Sequence, residues 1–514
     1  MAVSATGRSA GTGTRPLCRA HARAPRVDSP LQPGEAEGVQ YLIPRAAKGT
    51  LDLHVLAPDA AKAFVDRLPA AQKAWLADTR FEPKAGEVAL IPGEGGISAA
   101  LAVVSPDGSP WPYAHLATRL SGGRYQVAHD LEPQQATDLA LGFALGTYAF
   151  TRYKPCKETF ASLVWPKEAD KARATWLYEA ITLVRDLITT PAGDLGPAEL
   201  AEAAKKVAAD HKAKVTITSG KALERGYPAV HAVGKGSSRP PCLVDITWGH
   251  AKDPKVTLVG KGVVFDTGGL DLKPGSAMKL MKKDMGGAAH VLGLAHAVMS
   301  AKLPVRLRVL IPAVENSVSG DAFRPLDVLQ TRKGLTVEVG NTDAEGRLIL
   351  CDALHEACQD KPELLLDFAT LTGAARVALG TDVPALFASD DALAQDWLTA
   401  GEAVGDQLWR MPLWQGYRRQ LDSKVADLNN ISEGAYGGAI TAALFLQEFV
   451  APGVPWGHVD VMAYNLSGRP GRPAGGEAMG LRAAFTMLER RYPPATKAKA
   501  APAPKGKATR KARS

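Results

Sequence analysis

The segment 335–348 of this chain reads Leu-Thr-Val-Glu-Val-Gly-Asn-Thr-Asp-Ala-Glu-Gly-Arg-Leu. Apolar and polar residues alternate over 335–339, which predicts a β-strand, and the glycine and asparagine that follow end it. Apolar residues then recur at helical spacing over 347–358, which predicts an amphipathic helix. Asp343 and Glu345 therefore lie in a tight strand-to-helix connection. An open α/β sheet binds its ligands outside the carboxyl ends of its strands, so this connection is a candidate functional site.

Two interpretations of this acidic pair are open from the segment alone. Asp343 can cap the helix, and the helix dipole favours Glu345 in the first turn. Alternatively, both carboxylates can point toward one position and, together with Arg347, hold a divalent metal ion beside an anion. On these residues alone capping is the simpler explanation, and the rest of the chain has to decide between the two.

Length and composition predict a protein of two or three domains with a large hydrophobic core. The chain has 514 residues, of which 46% are hydrophobic and 22% charged, as in ordinary globular proteins. No stretch of the sequence approaches the ~20 consecutive apolar residues of a membrane span. The five cysteines are widely spaced and form no C-x-x-C pair; they are Cys18, Cys156, Cys242, Cys351 and Cys358. They indicate neither a disulfide framework nor a zinc knuckle, and we predict a cytoplasmic protein.

The net charge of +8 is concentrated in the two tails of the chain. Residues 1–27 contain five arginines and residues 497–514 contain seven lysines and arginines, and neither segment contains an acidic residue. The whole chain has 61 Lys and Arg against 53 Asp and Glu. Without the twelve basic residues of the two tails, 49 Lys and Arg remain, so the rest of the chain has more acidic than basic residues. Basic tails can contact nucleic acid, but solvated, disordered tails are more common and are what we predict. The N-terminal segment is equally compatible with an organellar transit peptide, a simple extension or a start codon placed too far upstream.

The predicted elements alternate between strands and helices, which indicates an α/β protein. We predict strands at 215–218, 256–266, 305–312, 335–339 and 363–368, and helices at 134–149, 167–188, 198–209, 285–300 and 347–358. The expected fold is a C-terminal α/β/α domain with a central, mostly parallel or mixed sheet, preceded by a smaller α/β domain. The predicted divisions are a disordered extension (1–39), the N-terminal domain (40–165), a linking helix (166–190), the catalytic domain (191–492) and a disordered basic tail (493–514).

A second motif lies in the segment 256–287. Lys261 stands between two glycines in the middle of an otherwise apolar strand. A buried lysine is costly unless it is paired or neutralised, and the flanking glycines indicate that another group approaches the backbone closely. Asp266 ends this strand, and Asp284 directly precedes the glycine-rich start of the next helix.

Taken together, the two motifs predict a metal centre. Asp266, Asp284, Asp343 and Glu345 all lie at strand ends or helix starts of one sheet. Four carboxylates in one crevice repel each other strongly unless cations lie between them. Two divalent ions about 3.5–4 Å apart can share bridging carboxylates and activate a water molecule. Lys261 can then be a ligand as a neutral amine.

Both motifs resemble the signatures of the leucyl aminopeptidase family, the cytosolic two-metal aminopeptidases. The segments that carry the resemblance most strongly are 260–269, Gly-Lys-Gly-Val-Val-Phe-Asp-Thr-Gly-Gly, and 341–348, Asn-Thr-Asp-Ala-Glu-Gly-Arg-Leu. Shorter segments at 314–316, 323–328, 368–373 and 437–443 are also similar to that family. The resemblance covers about residues 175–490, with all polar positions of both motifs intact.

The resemblance implies a role for each matching residue. One metal ion is expected on Asp266, Asp343 and Glu345, and the other on Lys261, Asp266, Asp284 and Glu345. Lys273 is expected to stabilise the developing oxyanion, and Arg347 to hold a bicarbonate-like anion that shuttles a proton. The residues expected near the first side-chain pocket are Met281, Asn341, Thr370 and Gly373.

The function implied is removal of the N-terminal residue from peptides, with leucine or other apolar residues favoured, through a water activated by two Mn²⁺ or Zn²⁺ ions. A homohexamer without membrane association is also implied. The rival hypothesis is a DNA-binding protein that keeps the peptidase fold as a scaffold and uses its basic tails. His290, His296 and His458 are predicted to be structural, because the first two lie six residues apart on one helix, the wrong spacing for a shared ligand face.

Overall fold

The computed structural model describes residues 39–494. The predictions of a disordered N-terminal extension and a disordered basic tail therefore concern residues that lie, apart from their innermost positions, outside the described part of the chain. Within residues 39–494, no helix is both long enough and apolar enough to cross a membrane.

The first part of the described chain is built on a six-stranded sheet with the order β1-β6-β5-β2-β4-β3. All neighbouring strands in it are parallel except β3 and β4. Its elements are β1 (Leu42–Ile43), β2 (Leu51–Leu56), α1 (Pro58–Arg67), α2 (Ala70–Asp78), β3 (Val88–Gly93), β4 (Gly96–Val103), α3 (Leu116–Arg119), β5 (Arg124–Val127), α4 (Pro133–Gly146) and β6 (Ser162–Val164). The predicted helix at 134–149 is confirmed as α4.

A long helix, α5 (Lys171–Thr189), follows this sheet. Asp170 caps its N-terminus by accepting a hydrogen bond from the backbone N–H of Arg173 at 3.0 Å. The side chains of Leu177, Ile181 and Val184 lie on its buried face, and the helix packs against α4 on one side and against a helix of the main sheet, residues 286–300, on the other.

The second part of the described chain forms a nine-stranded mixed sheet between two helix layers. Its strands run in the order β16-β15-β18-β14-β9-β11-β8-β7, with β10 paired to β11. The remaining elements are α6 (Pro197–Asp210), β7 (Lys214–Ser219), α7 (Gly220–Gly226), α8 (Pro228–Gly234), β8 (Cys242–Trp248), β9 (Lys255–Gly260), β10 (Gly262–Asp266), α9 (Gly275–Met278), α10 (Gly286–Ser300), β11 (Arg306–Asn316), β12 (Val328–Gln330), β13 (Thr336–Glu338), α11 (Glu345–Gln359), β14 (Leu364–Ala369), α12 (Gly373–Leu379), β15 (Ala385–Ala388), α13 (Asp391–Ala403), β16 (Trp409–Arg410), β17 (Leu428–Asn429), α14 (Gly438–Gln447), β18 (Trp456–Asp460), β19 (Tyr464–Asn465), β20 (Gly475–Gly476) and α15 (Leu481–Arg491). One helix layer contains α5, α10 and α15, and the other contains α8, α11 and α14. The expected α/β/α arrangement, with a smaller α/β unit before it, is the observed fold. The prediction that 335–339 is a strand of the main sheet was wrong, because β13 pairs with β12 and β17 in a separate three-stranded sheet.

The parallel strands at the centre of this sheet determine where the polar residues meet. Strands β9, β11, β14 and β18 are parallel neighbours, and β10 is parallel to β11. Their carboxyl ends therefore lie at one edge of the sheet, where Asp266 ends β10, Asn316 ends β11 and Asp460 ends β18. Such an edge is where open α/β sheets bind ligands.

The predicted strand 256–266 is divided in two at Lys261. β9 pairs with β11 and β14, whereas β10 pairs with β11 alone, first in the register of β9 and then with a register shift between Val263 and Asp266. The break follows from the close approach of the start of α10, since a Cβ on Gly260 would lie 2.7 Å from Cα of Ala288 and 2.8 Å from the carbonyl oxygen of Gly287. The prediction of one continuous strand was wrong because the sequence does not show which element lies over the glycines.

A buried ion pair joins β14 and β18 in the core. Nδ1 of His458 lies 2.6 Å from Oδ1 of Asp367, and the indole N–H of Trp456 donates to the other oxygen of Asp367 at 2.7 Å. Burial lowers the pKa of His458, but attraction to Asp367 and the hydrogen bond between them outweigh burial, so its pKa is raised above the usual value. His458 thus has the structural role that the sequence predicts.

This pair makes the stability of the fold depend on pH. A raised folded-state pKa contributes stability that is fully present below the unfolded pKa of about 6.5 and is lost as the pH rises through the folded pKa. Asp367→Asn removes the charge that raises the pKa of His458. We therefore expect the wild type to exceed this variant in free energy of unfolding at low pH, and this difference to become smaller as the pH rises through the folded-state pKa. Denaturant unfolding at a series of pH values measures the difference, and a difference that does not change with pH would contradict the assignment.

Candidate metal centre

Lys261 lies at the centre of a buried polar group at the carboxyl edge of the main sheet. Its side chain is 3% exposed, and Nζ lies 2.7 Å from Oδ2 of Asp284 and 2.9 Å from Oε1 of Glu345. Nζ also donates to the carbonyl oxygen of Thr370 at 3.1 Å. Burial lowers the pKa of Lys261, but Asp284 and Glu345 together outweigh burial, so its pKa lies above the usual value. The lysine that seemed costly in a strand is paired with two carboxylates.

Asp266 and Asp343 are joined by a second lysine. Nζ of Lys273 lies 2.9 Å from Oδ2 of Asp266 and also forms an ion pair with Oδ1 of Asp343. The other oxygen of Asp266 accepts hydrogen bonds from the backbone N–H of Gly268 at 2.8 Å and from the amide of Asn316 at 2.9 Å. These bonds fix the orientation of the Asp266 carboxylate.

Glu345 is the first residue of α11 and is almost completely buried. Its Oε2 atom has no hydrogen-bond partner within residues 39–494. Burial raises the pKa of Glu345 well above its usual value, and the nearby carboxylate of Asp266 raises it further, although Lys261 acts in the opposite direction. A cation beside Glu345 would supply a partner for Oε2. It would also favour the charged carboxylate and so lower the pKa of Glu345.

The donor set of this group is suited to a metal ion. Carboxylate oxygens of Asp266, Asp343 and Glu345 lie within 4.8 Å of one another. A fourth carboxylate, that of Asp284, contacts Nζ of Lys261, and it accepts a hydrogen bond from the hydroxyl of Thr370 at 2.7 Å. Hard oxygen ligands of this kind suit divalent ions such as Mn²⁺, Mg²⁺ or Zn²⁺. All five predicted metal-ligating residues thus belong to one connected group.

The loop between β13 and α11 shows which of its residues serves as a helix cap. Asn341 caps the short 3₁₀ helix Thr342–Ala344, because its side-chain oxygen accepts a hydrogen bond from the backbone N–H of Asp343 at 2.7 Å. The following helix, α11, begins without a side-chain cap. The Asp343 carboxylate itself faces Lys273 and remains 32% exposed. Neither Asp343 nor Glu345 therefore caps a helix with its side chain, and both carboxylates are available to a ligand.

Arg347 is buried in the first turn of α11. One of its terminal nitrogens donates to the backbone carbonyl of Asn430 at 2.6 Å, whereas its Nε has no hydrogen-bond partner within residues 39–494. Burial lowers the pKa of Arg347 to about 10. A partly unpaired, buried guanidinium beside the carboxylate group is an environment that favours a bound anion.

The four predicted substrate-binding residues differ in their surroundings. Thr370 contacts both Asp284 and Lys261, and Asn341 uses its side chain to hold the loop of Asp343. Met281 is buried at the start of the short 3₁₀ helix Met281–Met285, which also carries Asp284. Gly373 is exposed at the start of α12, three residues beyond Thr370.

Three further residues hold the site in shape and received no role from the sequence. Asn316 connects Asp266 to the backbone of Thr342, and Asn430 accepts from the backbone N–H groups of Gly340 and Asn341. Asp460 accepts from the backbone of the loop that follows β14. Asn316 and Asp460 each end a strand of the central sheet, and a polar residue at that position is the signal that could have identified them.

Comparison with known proteins identifies the origin of this arrangement. The sequence profile of the "Cytosol aminopeptidase family, catalytic domain" matches residues 182–485, and that of the "M17 aminopeptidase, N-terminal domain" matches residues 51–166. A probable cytosol aminopeptidase of Rhodococcus opacus is 43% identical over 399 residues, which cover 73% of this chain and 78% of the relative. The chain belongs to the cytosol aminopeptidase family.

Solved structures agree with this assignment. A crystal structure of the cytosol aminopeptidase from Coxiella burnetii superposes with a TM-score of 0.85 at 47% identity and covers 88% of this chain and 100% of its own. The bottromycin maturation enzyme BotP, solved in complex with Mn, has a TM-score of 0.76 at 33% identity and covers 87% of this chain and all of its own. As a member of the cytosol aminopeptidase family, this chain is a metal-dependent aminopeptidase and therefore a peptide hydrolase.

Proposed function

We propose that this aminopeptidase removes leucine and other apolar residues from the N-terminus of peptides, through a water molecule activated by two divalent metal ions. The observation that carries the proposal is the buried group of four carboxylates around Lys261. These carboxylates are Asp266, Asp284, Asp343 and Glu345, and their only close cationic partners in the described chain are Lys261, Lys273 and the more distant Lys283.

The ligands divide into two sets that share two members. Asp266, Asp343 and Glu345 form one set, supported by the short distances between their oxygens. The other set consists of Lys261, Asp266, Asp284 and Glu345. Lys261 would act as a neutral amine, because a divalent ion would displace the proton that Asp284 and Glu345 otherwise hold on it. Bound ions supply Lewis acidity and lower the pKa of a water molecule toward neutrality. The oxygen-rich donors suit Mn²⁺ or Zn²⁺, and the Mn complex of BotP supports the former.

Lys273 and Arg347 have the properties needed for the remaining steps. Burial lowers the pKa of Lys273, but Asp266 and Asp343 raise it more, so the ammonium group stays charged and can donate to a developing oxyanion. Arg347 is proposed to hold a bicarbonate-like anion, which would supply a group able to exchange protons with the attacking water and the leaving amine. The unpaired Nε of Arg347 supports this role.

The proposed side-chain pocket is formed near Met281, Asn341, Thr370 and Gly373. The buried Met281 offers an adaptable apolar surface, which supports a preference for leucine and similar residues.

We also propose a cytoplasmic homohexamer. Three large side chains of the segment 409–436 are exposed in the single chain, those of Trp409, Trp414 and Tyr436. Exposed apolar groups of this size support an interface with another subunit.

Removal of metal ions tests the proposal. After treatment with a chelator, we expect hydrolysis of leucine p-nitroanilide to fall by at least about tenfold and to return when Mn²⁺ or Zn²⁺ is added, because the carboxylate group needs bound cations. Asp343→Ala should remain inactive under all three conditions. Asp391→Ala, whose carboxylate is 91% exposed in α13, is the matched control and should behave like the wild type. Hydrolysis that persists without metal ions would contradict the proposal.

A further inference from the structure

A second polar cluster joins three helices by a continuous chain of hydrogen bonds. His296 in α10 lies between Glu179 of α5 and His211, the residue that follows α6. Its Nε2 is 3.0 Å from Oε2 of Glu179, and its Nδ1 is 3.1 Å from Nε2 of His211. None of these residues belongs to the carboxylate group around Lys261.

Glu179 determines the protonation pattern of the neutral His296 ring. A carboxylate can only accept, so Nε2 of His296 carries the proton that is donated to Glu179. In neutral imidazole the other nitrogen then has a lone pair, and Nδ1 presents this lone pair to His211. Histidines that bind metal ions usually donate their second ring N–H to a carboxylate in this way, which orients the ring and raises its basicity.

The distance between the two facing nitrogens, which now share a hydrogen bond, is also close to that of two ligands on a common ion. A tetrahedral ion with Zn–N bonds of ~2.0–2.1 Å brings two ligand nitrogens to roughly 3.3 Å from each other. The observed separation of the two facing nitrogens is 3.1 Å, and the ring centroids are 5.0 Å apart with the planes at 64°. An ion can therefore replace the shared proton with small ring movements once His211 carries its own proton on Nδ1.

The cluster is partly exposed to solvent. The side chain of His296 is 16% exposed, that of Glu179 is 38% exposed, and His211 is half-buried. Water molecules can complete the coordination on the open side. Burial lowers the pKa of His211, and His296 lowers it further, which keeps His211 neutral and able to bind a metal ion at physiological pH.

We propose that His211 and His296 form a binding site for a borderline divalent cation such as Zn²⁺ or Cu²⁺, with Glu179 orienting His296 from behind. This class of ion follows from the two imidazole ligands, whereas the carboxylate group also suits harder ions. The ion links the C-terminal end of α6 to α10. Sequence spacing along one helix does not reveal this site, because its two ligands come from different helices.

Copper provides a probe that separates the two sites, because the carboxylate group contains no histidine. We would load the full-length protein with excess Mg²⁺, add one equivalent of Cu²⁺ per subunit and record electron spin-echo envelope modulation. Coupling to the remote nitrogens of two imidazoles is expected. It should be lost in His211→Gln and His296→Gln, and Glu179→Gln should weaken copper binding by about 10–100-fold.

The control is His250→Gln, which changes an exposed histidine outside the cluster and should keep the imidazole signal. Peptidase activity in Mn²⁺ should be retained in all four variants, which shows that they fold. Absence of the imidazole signal from the wild type, or its persistence in both His211→Gln and His296→Gln, would overturn the proposal. Neither result depends on the peptide preference or on the number of metal ions in the carboxylate group.

Discussion

Replacing Glu345 with glutamine is expected to lower kcat/KM for leucine p-nitroanilide by about 10³-fold, which corresponds to about 4 kcal/mol of lost transition-state stabilisation. Glutamine keeps the size of the side chain but removes the charge that is proposed to be shared by both metal ions. The folded protein without metal ions should be about as stable as the wild type, or more stable, because burial and Asp266 disfavour the Glu345 carboxylate there. Steady-state kinetics and thermal unfolding after chelation measure the two effects.

Glu356→Gln is the matched control on the same helix. Oε1 of Glu356 accepts from Arg308 at 2.7 Å, and its other oxygen pairs with Arg332 at 2.5 Å, away from the carboxylate group. This variant should lose about 1 kcal/mol of stability and keep its activity. Glu345→Gln is thus expected to lose activity and keep its stability, whereas Glu356→Gln is expected to lose stability and keep its activity. An active Glu345→Gln enzyme would remove Glu345 from the proposed ligand set.

The sequence predicted the framework of the site because short-range patterns determine it. The alternation over 335–339 and the helical spacing over 347–358 located β13 and α11 to within a few residues. Asp266 was placed correctly, because it ends β10 at the carboxyl edge of the main sheet. Asp343 and Glu345 were expected at the end of a strand of the same sheet, which was wrong, because β13 pairs with β12 and β17 in a separate three-stranded sheet. The inference for Asp266 needs only local periodicity and the rule that parallel strands end on the same side, whereas Glu345 reaches the site because α11 packs against β9 and β11.

Features that depend on contacts between distant segments could not be predicted in the same way. The residues that orient the ligands, Asn316 and Asn430, act through hydrogen bonds to segments 26 to 90 positions away. The antiparallel strand β8 was not predicted, although it lies between β7 and β11 in the sheet. A periodic pattern in one segment carries no information about which neighbour it will find.

The pairing of His211 with His296 shows the same limit at a single residue. His296 was predicted to be structural because no second ligand lies at helical spacing on α10. The structure supplies the partner from the end of α6, 85 residues earlier in the chain. The spacing rule describes sites built on one helix, and it does not address contacts between residues of two different helices.

Gly346→Ala is expected to lower kcat/KM by about 10²-fold with little change in stability, although alanine is the better helix former by up to ~1 kcal/mol. A Cβ at this position would lie 2.5 Å from Cε and 2.6 Å from Nζ of Lys261, closer than any ordinary contact. The end of a lysine side chain can move away, so the fold tolerates the methyl group. That movement separates Nζ from Asp284 and Glu345, which it now contacts at 2.7 and 2.9 Å.

The consequence is a loss of metal affinity and activity rather than of folding. We expect the Mn²⁺ concentration needed for half-maximal activity to rise in Gly346→Ala, while the far-UV circular dichroism spectrum stays that of the wild type. Gly193→Ala is the matched control, because a Cβ there meets no atom within 4 Å. If Gly346→Ala keeps full activity at the wild-type Mn²⁺ requirement, Lys261 does not need its present position and is not a metal ligand. Because the clash involves only the end of Lys261, this variant tests that ligand without changing any carboxylate.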